Sequence, residues 1–187
     1  MNNLNLKKMK KSIFSIALIA FTVLATSLAW MPTGHYEVSE GYDIDFKSKD
    51  PSGSFKKMDG SVEFDESNIE STQFNLKIEV KSISTGNGMM NKKSQTAEWF
   101  DGAKYPYAKF KSTKVTKKGT ELTIVGDLTI KGTTKQYTIP ATYSKSGDKI
   151  TFKGTFNVNR MDFKVGKKSG TVPDLMKVSF QVPTSKK

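Results

Sequence analysis

Strict alternation of apolar and polar residues, with a period of two, recurs eight times between Tyr42 and Val182. "YDIDFK" sets Tyr42, Ile44 and Phe46 against Asp43, Asp45 and Lys47, and "SVEFD" repeats the pattern with Val62 and Phe64. "FNLKIEVKS" supplies Phe74, Leu76, Ile78 and Val80, "YAKFKST" supplies Ala108 and Phe110, and "ELTIVGDLTIK" supplies Leu122, Ile124, Leu128 and Ile130. "QYTIPATY" adds Tyr137, Ile139, Ala141 and Tyr143, "KITFKGTFNV" adds Ile150, Phe152, Phe156 and Val158, and "KVSFQV" adds Val178, Phe180 and Val182. Successive side chains of a strand point to opposite faces, so each run reads as a strand with one oily face. No helical periodicity competes with them.

Turn chemistry lies between the runs. "KDPSGS" (Lys49–Ser54), "KKGT" (Lys117–Thr120), "KSGDK" (Lys145–Lys149) and "GKKSG" (Gly166–Gly170) are short and suit antiparallel hairpins. Pro140 falls inside a strand at an outward position, which predicts an edge or a locally disrupted ladder. Eight sequential strands close into an up-and-down barrel, which removes exposed edges. A two-sheet sandwich has the same alternation. The face opposite the apolar one carries Lys, Asp and Glu on nearly every strand, so it cannot face hydrocarbon as an outer-membrane barrel does. The expected fold is all-β: one eight-stranded antiparallel barrel, residues 30–187, with an apolar interior and one short helical connection.

Residues 1–29 read as an export signal. Lys7, Lys8, Lys10 and Lys11 precede the apolar run "SIFSIALIAFTVLAT", and Ser27, Leu28 and Ala29 offer a cleavage site before Trp30. An uncleaved anchor is the alternative, although the apolar run is shorter than the ~20 residues of a spanning helix. The expected location is periplasmic or secreted. Without residues 1–29 the net charge falls from +12 to +8, nearly all of it lysine, since Arg160 is the only arginine. Lysines scattered over every strand, without arginine forks, argue against nucleic acid and leave a solvated surface that anionic lipid headgroups could attract.

Absences narrow the chemistry. The chain has no cysteine and one histidine, His35, so thiol catalysis, thiolate metal sites and multi-histidine zinc sites are excluded. Asp43 and Asp45 alternate with apolar residues and belong to the wet face. Neither a catalytic set nor a cofactor or metal site is expected. Eight strands enclose an interior that side chains can fill or that can hold one small ligand. Gly126 and Gly154 stand at inward positions in mid-strand, where glycine marks either close approach of a ligand or backbone, or a bend.

The longest irregular connection, "SISTGNGMMNKKSQTAEWFDGAKYP" (Ser82–Pro106), places Trp99 beside Phe100. Together with "GDLTIKGTTKQYTIP" (Gly126–Pro140) and "NVNRMDFKVG" (Asn157–Gly166), in that order and spacing, it resembles the signature blocks of the YceI-like family of periplasmic, polyisoprenoid-binding, lipocalin-like barrels. Where that family often has an acidic residue or arginine after the Thr-Gly turn, this chain has "NGMMNKK".

The resemblance spans Tyr36 to Val182. It implies a barrel around a long apolar isoprenoid, a quinone or polyprenol, carried or stored; an envelope barrel without a lipid is the alternative. The contacts it implies are Phe46, Phe64, Phe74, Ile78, Phe110, Leu128, Ile130, Tyr137, Phe152 and Phe156 from the strands. Trp99 and Phe100 would close the top as a plug or a loop staple. Arg160 would meet a headgroup or form a salt bridge with Asp162 or Asp174. Ser94 is the expected N-cap and Gly102 the stop of one or two helical turns. A single barrel or a pair of them is equally compatible with the sequence.

Overall fold

A computed structural model describes residues Gly34–Lys187; residues 1–29, read above as an export signal, lie outside them. The elements are β1 (Gly34–Val38), β2 (Asp43–Lys47), β3 (Ser52–Phe55), β4 (Met58–Phe64), β5 (Gln73–Glu79), β6 (Ile83–Ser84), α1 (Gly88–Ser94), β7 (Tyr107–Lys118), β8 (Glu121–Ile130), β9 (Thr133–Ser146), β10 (Lys149–Asn159) and β11 (Leu175–Lys186). All the pairings are antiparallel, and β1 returns to β11 to close the sheet.

The eleven strands make eight staves. β1 and β2 both pair with β11, β3 and β4 pair with β2 and β1, and β5 and β6 pair with β4 and β3. Each of these three staves is one strand broken at the same level. Side chains knit the break: the Ser82 hydroxyl accepts from Lys56 N at 3.1 Å and Lys57 N at 3.0 Å. The Tyr42 hydroxyl donates to Lys56 O and accepts from Met58 N, both at 3.1 Å. The ladder closes within Gly34–Lys186, so the barrel is a self-contained folding unit.

Four sequence expectations need correction. Strand β3 begins at Ser52, inside the stretch read as a turn, and β1 extends the first stave upstream of Tyr42. The "GKKSG" segment is not a tight hairpin but part of the long connection between β10 and β11. In β7 the register shifts between Ser112 and Lys114, so the inward face passes from Ala108, Phe110 and Ser112 to Val115, which is wholly buried. A bulge adds one residue to one strand, and side-chain parity flips beyond it. Simple alternation therefore missed Val115.

Candidate functional site

The two ends of the barrel interior differ. At the end holding the connections 65–72, 119–120 and 147–148, inward side chains pack on one another. Phe64, Phe74 and Phe152 are 3%, 4% and 1% exposed. The Phe152 ring lies 4.9 Å from Phe74 and 5.8 Å from Phe64, both edge-on. Tyr36, Val62, Val115, Leu122, Ile124 and Ile150 complete this cluster, and Ile69 covers it from below. These residues form a floor. Phe64, Phe74 and Phe152, expected as ligand contacts, belong to it.

Toward the other end, residues of the same inward parity are only half-buried: Phe46, Leu76, Ile78, Phe110, Ile130, Tyr137, Phe156, Val178 and Phe180. They pack against the buried clusters without being wholly covered by them. Leu128 is buried here against Phe163 and Val165. Thus Phe46, Ile78, Phe110, Ile130, Tyr137 and Phe156 share the inward apolar face above the floor and are less buried than the floor residues.

Glycines shape this half. A Cβ on Gly126 would stand 2.5 Å from Phe110 Cζ, one on Gly154 2.5 Å from Phe180 Cζ, and one on Gly53 2.8 Å from Phe46 Cζ. Gly154 is directly opposite Phe180 and Gly53 opposite Phe46 in the ladders. Each glycine lets an aromatic ring on the next strand lean along the wall instead of projecting into the lumen. This explains the inward glycines: close approach is real, and the approaching group is a ring of the protein itself.

Pro140 opens a seam. β9 and β10 pair from Lys149↔Ser146 to Gly154↔Ala141 and no further, although β9 continues along β8 and β10 along β11. The Pro140 carbonyl abuts Gly154, so its ring nitrogen, which lacks a hydrogen, also faces β10. The disrupted ladder expected at Pro140 is found here. Phe163, wholly buried, covers the seam from the 3-10 turn Arg160–Phe163 and stacks on Tyr137 at 5.9 Å. Burial raises the Tyr137 phenol above its ordinary value, outweighing the backbone hydrogen bond from Asn159 that lowers it.

Arg160 holds that turn and the connection after it. It is 4% exposed, with Nε donating to Pro173 O at 3.0 Å and Nη1 to Val165 O at 2.8 Å. Its Nη2 reaches Lys167 O and Val172 O at 3.0 Å and Asp174 Oδ1 at 2.9 Å. The guanidinium is thus engaged with its own loop, with Asp174 rather than Asp162 as the carboxylate partner. No headgroup role is needed to account for it.

Trp99 ties the two mouth connections together. Its ring lies 5.9 Å from the Arg160 guanidinium carbon, against Gly166, whose N–H donates to Glu98 O at 2.9 Å. Its own indole N–H is buried with no acceptor among the described residues. Phe100 meets Phe55 edge-on at 6.1 Å. The helix lies upstream of the expected place: Asn87, not Ser94, caps it, its side chain accepting from Met89 N and Met90 N, and Ser94 is its last residue.

Elsewhere, chemistry is sparse. A concavity of about 630 Å³ lies on the outer wall between Asp43, Asp45, Glu121, Thr142 and Lys153, open to water and too polar for an apolar guest. Asp43 and Asp45 are exposed, as expected. His35 pairs with Glu63 beside the floor end. No group of three or more metal-ligating side chains occurs among the described residues.

A closed antiparallel barrel with a packed floor, a half-buried apolar inward face above it and a covered mouth defines a lipocalin-like fold. The chain belongs to the YceI-like family, whose domain model matches residues 33–184. Protein YceI of Escherichia coli O157:H7 is 42% identical over 96 residues, 51% of this chain and 50% of that protein, so the match spans about half the length of this curated relative. The crystal structure of Burkholderia cenocepacia BcnA superposes with a TM-score of 0.72 at 29% identity, covering 76% of this chain and 95% of that one. A polyisoprenoid binding domain from Saccharophagus degradans has the same fold, with a TM-score of 0.65 at 14% identity over 81% of this chain and 98% of that one.

Proposed function

We propose that this protein holds one long apolar lipid of the isoprenoid type, a quinone or polyprenol, in the upper half of its barrel, and carries or stores it outside the cytoplasm. The observation that carries the reading is the half-buried lining around Phe46, Ile78, Phe110, Ile130, Tyr137, Phe156 and Phe180, above a floor that is fully packed. Contiguous apolar surface left partly uncovered is a mark of a ligand-binding groove. Family membership and the neighbour described as polyisoprenoid-binding support the same ligand class. Each square ångström of apolar surface buried contributes about 25 cal/mol, so a chain of isoprene units binds without polar contacts. Neither metal nor organic cofactor enters this reading, and its chemistry is binding rather than catalysis.

The test is thermal unfolding of delipidated protein with and without an isoprenoid quinone in detergent. A ligand that binds only the folded state raises the midpoint by mass action. A clear rise in wild type that is lost when Phe110 and Phe156 are both replaced by serine supports the reading. An unchanged midpoint in wild type would leave a structural envelope barrel as the better account.

A further inference from the structure

We propose that the mouth end of the barrel docks on an anionic phospholipid bilayer, with the methionines of α1 and Leu175 entering the interface and lysines around them meeting the headgroups. The inference rests on the lipid-binding reading, for which it supplies the surface where lipid is collected or delivered.

Two independent asymmetries point to it. The first is apolar. The large hydrophobic residues exposed among the described residues are Met89 at 79%, Leu175 at 55%, Tyr107 at 38% and Met90 at 37%. Scattered single exposures are ordinary in proteins. These four are not scattered: Met89 and Met90 lie in the connection before β7, Tyr107 is the first residue of β7, and Leu175 is the first residue of β11. All four are therefore at the mouth end of the barrel.

The second asymmetry is charge. The mouth connections carry exposed Lys92, Lys93, Lys104, Lys164, Lys167 and Lys168, and none of them forms an ion pair among the described residues. The acids of the mouth connections are Asp50, Glu98, Asp101, Asp162 and Asp174, fewer than their basic residues, and Asp174 is taken up by Arg160. The connections at the floor end carry Asp65, Glu66, Glu70 and Asp148 and no lysine or arginine. Of the strand-end lysines there, Lys145 pairs with Glu66 and Lys187 with Glu37, while Lys117, Lys118, Lys149 and Lys186 form no ion pair among the described residues.

An anionic surface thus draws the mouth connections, with their excess of lysine, more than the floor connections, which carry only acids, and so biases the orientation of the barrel. Neither signal suffices alone, because a few apolar side chains or a few charges give only marginal attachment, whereas the two together give stable docking. Each lysine near such a surface strengthens partitioning about fivefold at low salt. Met89 and Met90 share α1 with Lys92 and Lys93, so contact by one pair brings the other into reach.

The chain contains no cysteine, so single positions can be labelled without background. The experiment uses Pro32–Lys187, because the apolar run within residues 1–29 would partition by itself. An environment-sensitive fluorophore is placed on Met89→Cys or Leu175→Cys at the mouth, and on Glu70→Cys at the floor end. Each protein is titrated with vesicles of phosphatidylcholine alone and of phosphatidylcholine with phosphatidylglycerol.

The probes at 89 and 175 should shift to the blue with the anionic vesicles and far less with neutral ones, while the probe at 70 stays unchanged. Lys92→Glu with Lys93→Glu should weaken partitioning more than about tenfold, and Lys117→Glu with Lys118→Glu, near the floor, should change it little. Silence at all positions, an equal response at position 70, or equal binding to neutral vesicles would overturn the proposal. Quinone retention measured on the same samples separates the two readings. Retained quinone without docking sinks only the docking surface, and docking without quinone sinks only the ligand.

Discussion

Five acceptors converge on the Arg160 guanidinium, four of them backbone carbonyls from the connection after β10. Arg160→Ala leaves those carbonyls and the Asp174 carboxylate unpaired. The expected cost is about 3 kcal/mol by denaturant unfolding, below the fully buried case because Asp174 is itself half-exposed. Arg160→Lys should recover less than half of that, since one ammonium cannot reach acceptors spread around a planar fork. A loss under 1 kcal/mol for the alanine variant would deny the residue its scaffolding role. Gly154→Ala should act on the lumen: its methyl meets the Phe180 ring and the Pro140 carbonyl, so the ring must leave the wall. Lower stability and weaker quinone binding are expected together. Tyr137 adds a pH signature. Its folded-state value is raised, so its contribution is fully present below the unfolded value of 10.0 and is lost as pH rises through the folded value. Wild-type stability should therefore fall more steeply than that of Tyr137→Phe between about pH 9 and 11. At this scale the sequence singled out Arg160 as the lone arginine and the two glycines as inward. It could not show Arg160's partners, because backbone carbonyls leave no mark in a pattern of side chains.

Among the elements, the seam between β9 and β10 is the feature most open to measurement. Beyond Gly154↔Ala141 the amides of the two strands that face each other lack ladder partners. Hydrogen exchange should therefore be faster at those amides in Thr155–Val158 than at the amides of Lys149–Gly154, with Phe163→Ala widening the difference. Uniform protection along β10 would mean that the ladder is in fact continuous. Pro140 announced this break in the sequence, because a missing N–H in mid-strand has to be accommodated somewhere. The bulge in β7 had no such sign: nothing in "KSTKV" (Lys111–Val115) tells which residue is extra. The helix was legible in principle, since Asn87 ahead of "GMMNKK" is a good N-cap followed by helix-forming Met and Lys. Ser94, the expected N-cap, is instead the last residue of that helix. Trp99 and Phe100 proved to be partners of different elements, one of the Arg160 loop and the other of β3.

For the molecule as a whole, period-two patterning specified eight staves and their inward face, because one-residue slips would turn an oily face to water. What patterning could not specify is the division of that face into floor and lining, which depends on how rings from different strands meet. The division predicts opposite behaviour for two phenylalanines on one strand. Phe152→Ala should cost ~3–5 kcal/mol whether or not lipid is bound, as in any packed core. Phe156→Ala should cost less in the delipidated protein and should mainly weaken lipid binding. Similar losses for both would mean that the barrel is packed throughout.

The central claim, a lumen occupied by a long apolar guest, is tested most directly by native mass spectrometry of the protein purified from a membrane-containing host without added detergent. The account predicts one discrete added mass per chain, matching an isoprenoid lipid, and its absence when Phe110 and Phe156 are both replaced by serine in a protein that remains folded. A wild-type spectrum showing only the bare chain mass, from protein with intact cooperative unfolding, would contradict it.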